Sequence, residues 1–184
     1  FIDVGVGTYT RQTFSSERYS IWTMQSNYHN LSVINGVPQK NGANYKSTDV
    51  EANNSKAHFS LDISKAYPEE AEVDFWKRTY SLPSEGVLSI SDTWQLKSKK
   101  DLNRVNFMTL PKPDISIPGK VFLEADGQVI QLSYDSKSFK ADVETIKITD
   151  AILSRSWGNT VYRLTLSAKQ KQLKGQYHFK IEAL

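Results

Sequence analysis

The 184-residue chain contains no cysteine, which removes disulfides, thiolate metal centres and cysteine nucleophiles together. That absence suits a periplasmic and a cytosolic protein equally. Histidine is nearly as scarce, so imidazole chemistry has only His29, His58 and His178 to draw on. No apolar stretch approaches the run of about 18 residues that a membrane helix needs, and no basic segment followed by an apolar one opens the chain. Charge is close to balanced at +3, far from the lopsided basic surface of a nucleic-acid binder. There is no Gly-x-Ser-x-Gly elbow, and no histidine has an evident serine partner, which sets serine-hydrolase chemistry aside. Gly5-Val6-Gly7 lacks the third glycine and the following helix of a phosphate-binding loop and reads as a bulge or close backbone approach. Glu69 and Glu70 are adjacent, so they cannot flank a glycosidic bond from opposite sides and read as solvated carboxylates.

What the chain does have is a period of two. Leu88, Ile90, Trp94 and Leu96 fall on one face of a strand from Val87 to Leu96, and Tyr162, Leu164, Leu166 and Ala168 on one face of another. Tyr177, Phe179 and Ile181 repeat the pattern, and Val73 to Leu82 and Val129 to Tyr134 are rich in β-branched and aromatic residues. Asn35-Gly36 and Asp126-Gly127 mark tight hairpins, since both pairs tolerate the positive φ such turns require. Roughly a dozen strands at this spacing predict an all-β fold, an antiparallel β-sandwich in a single domain over residues 1–184. The three prolines between Leu110 and Pro118 predict an extended crossover between sheets. Helix is expected for a single turn near Tyr67 to Glu72, where Pro68 and the paired glutamates suit a helix start.

Three charged features stand out. Asp92 occupies the apolar face of its strand, and Arg78, alternating with Trp76 and Tyr80 on the neighbouring one, is the expected ion-pair partner. Lysines cluster in Lys97-Ser98-Lys99-Lys100 and from Lys169 to Lys174; they read as solvated hairpin tips or as an attractor for an anionic polysaccharide. Asp3 and His29, each in a strand-like setting, carry the oxygen and nitrogen donors of an ordinary zinc site. Asp3 also reads as a turn cap beside Gly5, and His29 as a backbone hydrogen-bond partner. Phe1-Ile2-Asp3-Val4 has strand character from its first residue, so the chain is expected to be a fragment of a longer polypeptide.

The run Phe1-Ile2-Asp3-Val4-Gly5, the polar stretch Thr8 to Phe14, and Tyr28-His29-Asn30 leading through Leu31 to Asn35-Gly36 resemble the β-sandwich domain of the heparinase II/III family of polysaccharide lyases. The resemblance implies a supersandwich-like fold preceded by an N-terminal helical toroid that carries most catalytic residues. It implies zinc held by Asp3, His29 and a histidine upstream of Phe1. It further implies β-elimination on an acidic, uronate-containing polysaccharide such as a glycosaminoglycan or alginate, in a periplasmic or secreted protein. Tyr9 and Tyr19 lie between the two ligands and are the candidates for a catalytic tyrosine. A fragment without the toroid is expected to be inactive. The competing reading is a carbohydrate-binding or purely structural sandwich in which Trp22, Trp76, Trp94 and Trp157 stack on sugar rings or fill the core.

Overall fold

The computed structural model describes residues 1–184 and contains eleven strands. In chain order they are β1 (Ser32–Val33), β2 (Thr48–Asn53), β3 (His58–Asp62), β4 (Val73–Ser84), β5 (Val87–Leu96) and β6 (Arg104–Thr109). Then follow β7 (Lys120–Ala125), β8 (Gln128–Tyr134), β9 (Phe139–Lys147), β10 (Thr160–Ala168) and β11 (Lys174–Ala183). Every pairing is antiparallel. They form a four-stranded sheet in the order β1-β6-β10-β9 and a seven-stranded sheet in the order β2-β3-β4-β5-β11-β8-β7. The predicted all-β sandwich is the fold observed.

The alternation in sequence becomes the core. Val105 and Phe107 of β6 with Leu164 and Leu166 of β10 meet Trp76, Ile90, Trp94 and Phe179 of the larger sheet in one buried cluster. Trp76 and Trp94 face each other in register across β4 and β5 and stack with centroids 5.5 Å apart, and Tyr177 touches both rings. Gly175, opposite Trp94, makes that stack possible, because a Cβ there would sit 2.8 Å from the indole. Both tryptophans therefore fill the core. Trp22 packs edge-on against Tyr28, and Trp157 donates its indole N–H to the Val4 carbonyl at 2.9 Å. All four indoles are thus committed to packing, and none is exposed.

Asp92 and Arg78 are also opposite in register, and their side chains form a two-pronged pair at 2.7 Å on each prong, almost wholly buried. Burial alone would lower the guanidinium; the carboxylate beside it outweighs that and keeps Arg78 charged. Arg78 also donates to Ser32 Oγ at 2.8 Å, and Tyr67 donates its hydroxyl to the Ser32 carbonyl at 2.6 Å. This network locks the short edge strand β1 onto the larger sheet. Burial pushes the Tyr67 phenol well above its usual range, so it remains a donor.

The prolines behave as expected: residues 110–118 cross from β6 in one sheet to β7 in the other with a single bridge, Asp114 to Phe122. Three local expectations are corrected. Phe1–Val4 is not a strand; it lies beside β6 but makes one backbone bond, Ile2 N–H to the Met108 carbonyl at 2.9 Å, before Gly5 turns it away at φ +74°. His29 likewise lies outside any strand, at the end of four short 3-10 turns between Gln12 and Tyr28. Helix also exceeds one turn: besides 3-10 turns at Ser64–Ala66 and Glu69–Ala71 there is an α-helix, α1, over Ala151–Trp157. Asp150 caps it, accepting the Ile152 and Leu153 N–H groups, and Gly158 follows it.

Candidate functional site

The site is assembled by pinning the N-terminal segment to the four-stranded sheet. Asn30 acts as a surrogate strand rung: its Nδ2 donates to the Ile2 carbonyl at 3.0 Å and its Oδ1 accepts the Met108 N–H at 2.8 Å. Further along, Trp157 holds the Val4 carbonyl and Asp150 Oδ2 accepts the Thr8 N–H at 2.8 Å. Val4 is buried against Met108, Leu153 and Val161. Between these anchors Asp3 is carried to His29, and its Oδ2 lies 3.1 Å from His29 Nδ1.

Each of the two side chains is aimed by its other polar atom. Asp3 Oδ1 accepts the Gly5 N–H at 3.0 Å, while His29 Nε2 lies 3.2 Å from the Thr23 carbonyl. A carbonyl can only accept, so that contact puts a ring proton on Nε2; an ionised carboxylate also only accepts, so Nδ1 meets Asp3 Oδ2 as a second donor. Both alternatives foreseen for these residues, turn cap and backbone partner, are realised together with the Asp3–His29 contact. No group of three or more histidine, aspartate or glutamate side chains converges here or elsewhere in the chain.

Asp3 and His29 open onto a groove of about 450 Å³ whose other walls include Asn30, Gln39, Lys40 and Asn41. A second depression of about 340 Å³ adjoins it, shares Met24, Ser26, Gln39, Lys40 and Asn41, and ends at Tyr19 and Pro68. The combined surface is rich in amides, with one lysine, one carboxylate (Asp3), one imidazole and one phenol, a polar lining suited to hydroxyl-bearing ligands. Tyr19 therefore lies within it. Tyr9 does not line either depression; it is exposed and stacks on Phe14 at 5.6 Å.

Other sequence candidates lie elsewhere. Glu69 and Glu70 are exposed, as expected. His58 sits on β3, and His178 on β11 meets Ser91 of β5 across the register, Nδ1 to Oγ 2.9 Å. The serine partner was not evident from the sequence because 87 residues separate the two. The pair is not a catalytic constellation, since no carboxylate bonds the imidazole from its far side. Asn30, Gln39 and Asn41 were missed, although Asn30 directly follows the histidine.

At the level of sequence, no protein family and no curated protein matches the chain. At the level of structure it superposes on solved lyases. A heparan sulfate lyase from Pedobacter heparinus matches with a TM-score of 0.65 at 12% identity, over 98% of this chain and 28% of its own. A heparinase III gene product matches with a TM-score of 0.70 at 12% identity, and another heparinase III with 0.64 at 14%. Both cover 100% of this chain and 28% of theirs. The likeness shows the fold: the chain has the architecture of the β-sandwich found in heparinase III structures. It spans about 28% of the length of those proteins.

Proposed function

We propose that this chain is the β-sandwich wall of a polysaccharide lyase that cleaves a uronate-containing polysaccharide by β-elimination, and that it is inactive by itself. The observation that carries the reading is the superposition of the whole chain on one part of heparin-type lyases, with a polar groove beside Asp3 and His29. In such a reaction the proton at C5 of the uronate is abstracted and the C4–O bond breaks, leaving an unsaturated sugar. The carboxylate must be neutralised and a base must lie within hydrogen-bond reach of the proton. Lys40, Gln39 and Asn41 are the groups of this chain we assign to the carboxylate, and Tyr19, which lines the same depression, is the candidate for contact with the sugar. The remaining machinery belongs to the partner wall, a helical toroid of the same polypeptide, in a periplasmic or secreted protein.

The donor pair fits zinc. Two ligands at about 2.0–2.1 Å from a tetrahedral zinc lie about 3.3 Å apart, against 3.1 Å here. Nε2–H is held by Thr23, the outer support that metal-binding histidines ordinarily have, so Nδ1 is the nitrogen that would take a metal in place of its proton. Asp3 Oδ2 and His29 Nδ1 would hold the ion together with a histidine upstream of Phe1. The ion would tie the N-terminal segment to the cleft wall. The test is release of unsaturated product, read as new ultraviolet absorbance: the longer protein should produce it from uronic-acid polysaccharides and this chain alone should not. Turnover by the 184 residues alone would overturn the proposal.

A further inference from the structure

The two lysine clusters seen in the sequence meet in space. Leu96 N–H donates to the Leu173 carbonyl at 2.7 Å and Lys171 Nζ to the Lys100 carbonyl at 2.7 Å, which ties the loop after β5 to the loop before β11. The loop before β9 joins them, because Lys169 bonds the Ser138 carbonyl through its N–H at 2.8 Å and the Ser136 carbonyl through Nζ at 2.7 Å. One end of the sandwich thus gathers Lys97 and Lys99, Lys169, Lys171 and Lys174, and Lys137, all exposed. None of the six is within ion-pair distance of a carboxylate. The nearby acids are mostly committed: Glu72 pairs with Lys100 at 2.7 Å and Asp101 with Arg104 at 3.4 Å. Asp135 and Asp74 make no ion pair: the Asp135 carboxylate accepts from the Ser138 hydroxyl and the Lys137 N–H, and that of Asp74 from Gln95 Nε2.

The ammonium groups of Lys169 and Lys171 are positioned rather than neutralised. Each donates to a backbone carbonyl, which fixes its place, keeps its charge and leaves two N–H donors for a ligand. Beside Lys169 lies a pocket of about 110 Å³ lined by Lys137, Lys169, Gln170 and Gln172 over Tyr177, with Lys171 outside its lining. At about 30 Å³ per water, that space takes one small anionic group with its hydrogen-bonding partners. It shares no lining residue with the Asp3–His29 groove.

We propose that this end of the sandwich is an anion-binding exosite for the acidic polysaccharide, separate from the groove and engaging its carboxylate or sulfate groups. The proposal rests on the lyase reading above. Lysines interleaved with amides and hydroxyls suit such groups, whereas a single-stranded nucleic acid would call for a run of exposed aromatic platforms, and here Phe75 stands alone, opposite Gln95. Holding a long polymer at a second point raises its effective concentration at the groove without any new contact there.

The test is binding of this chain to immobilised heparin across a salt series, with alginate, neutral dextran and single-stranded DNA as competitors. The variant Lys137→Glu/Lys169→Glu/Lys171→Glu should bind heparin at least about tenfold more weakly while keeping the parent's far-ultraviolet circular dichroism, with a melting midpoint lowered only by the two lost loop ties. The charge-matched control Lys56→Glu/Lys65→Glu/Lys147→Glu should bind nearly as the parent does. Competition by alginate as well as free heparin would identify the shared anion chemistry, and competition by heparin alone would assign the site to sulfate. Equal weakening in the control, unchanged binding in the variant, or stronger competition by DNA than by heparin would overturn the exosite. None of these outcomes touches the lyase reading, because product release by the longer protein from short oligosaccharides is measured separately and does not require this end of the sandwich.

Discussion

Asn30 holds Ile2 to the sheet in place of a strand, donating to its carbonyl at 3.0 Å while accepting the Met108 N–H that a true neighbouring strand would have taken. The consequence is positional. One residue on each side of this clamp, Asp3 and His29 come within 3.1 Å across 26 residues of chain. Asn30→Ala leaves a carbonyl and a partly buried N–H without partners, a loss of about 1–3 kcal/mol. Denaturant unfolding should show that drop, and hydrogen exchange should show the first seven residues loosened while β10 stays protected. An unchanged midpoint would mean that the segment is held by Val4 and Trp157 without the amide.

Zinc binding is the second expectation. With two protein ligands this chain should bind zinc weakly or not at all, because each missing ligand is a position that only water can fill. Calorimetry should find tight binding once the upstream segment is restored, and His29→Ala in that longer protein should abolish it. Tight binding that survives His29→Ala would sink the assignment of Asp3 and His29.

The buried pair Arg78–Asp92 should be unforgiving of half-measures. Asp92→Ala leaves a buried guanidinium uncompensated beside Ser32 and Tyr67, at a cost of about 3–5 kcal/mol. Replacing both residues by apolar ones of similar volume should cost much less. Equal losses for the single and double variants, measured by urea unfolding, would contradict this account.

Gly175→Ala probes the tryptophan stack, since the new Cβ would lie 2.8 Å from Trp94 Cζ2 and 3.3 Å from Cε2. Overpacking of this kind costs about 1–3 kcal/mol. Near-ultraviolet circular dichroism should change with it, because Trp76 and Trp94 move together. A silent variant would show that β11 can shift to make room.

Asp150 gives a pH dependence. Donation from the Leu153 N–H, then from Thr8, draws its carboxyl from 3.8 down to about 2. A carboxylate depressed on folding contributes stability that is complete above its unfolded value and is lost as pH falls through the folded one. Asp150→Ala should therefore destabilise the protein at neutral pH by about 1 kcal/mol, near the ordinary worth of a helix cap, because so exposed a group is screened by solvent. The gap between variant and parent should narrow between about pH 4 and pH 2. A gap that stays constant over that range would show that the cap acts without its charge.

Alternation along Val87 to Leu96 and Tyr162 to Ala168, with Asp126-Gly127 and the proline-rich crossover, was enough to determine the sandwich. Strand faces and turn angles are local properties, written within a few residues. The Arg78–Asp92 pair was legible for the same reason, because an acid on an apolar face one hairpin away from a base leaves few partners. The α1 helix leaves only its end signals, Asp150 and Gly158, in the sequence, because seven residues are too short a run to display a helical period. Tertiary structure alone decided the rest. Residues 1–4 carry apolar residues as a strand would, yet form no ladder, so side chains of Asn30, Trp157 and Asp150 supply the rungs for the first eight residues. The meeting of Asp3 with His29, of Ser91 with His178, and of the two lysine loops depends on packing between segments far apart in the chain. No local pattern encodes such distances; they follow from how the sheets close over one core.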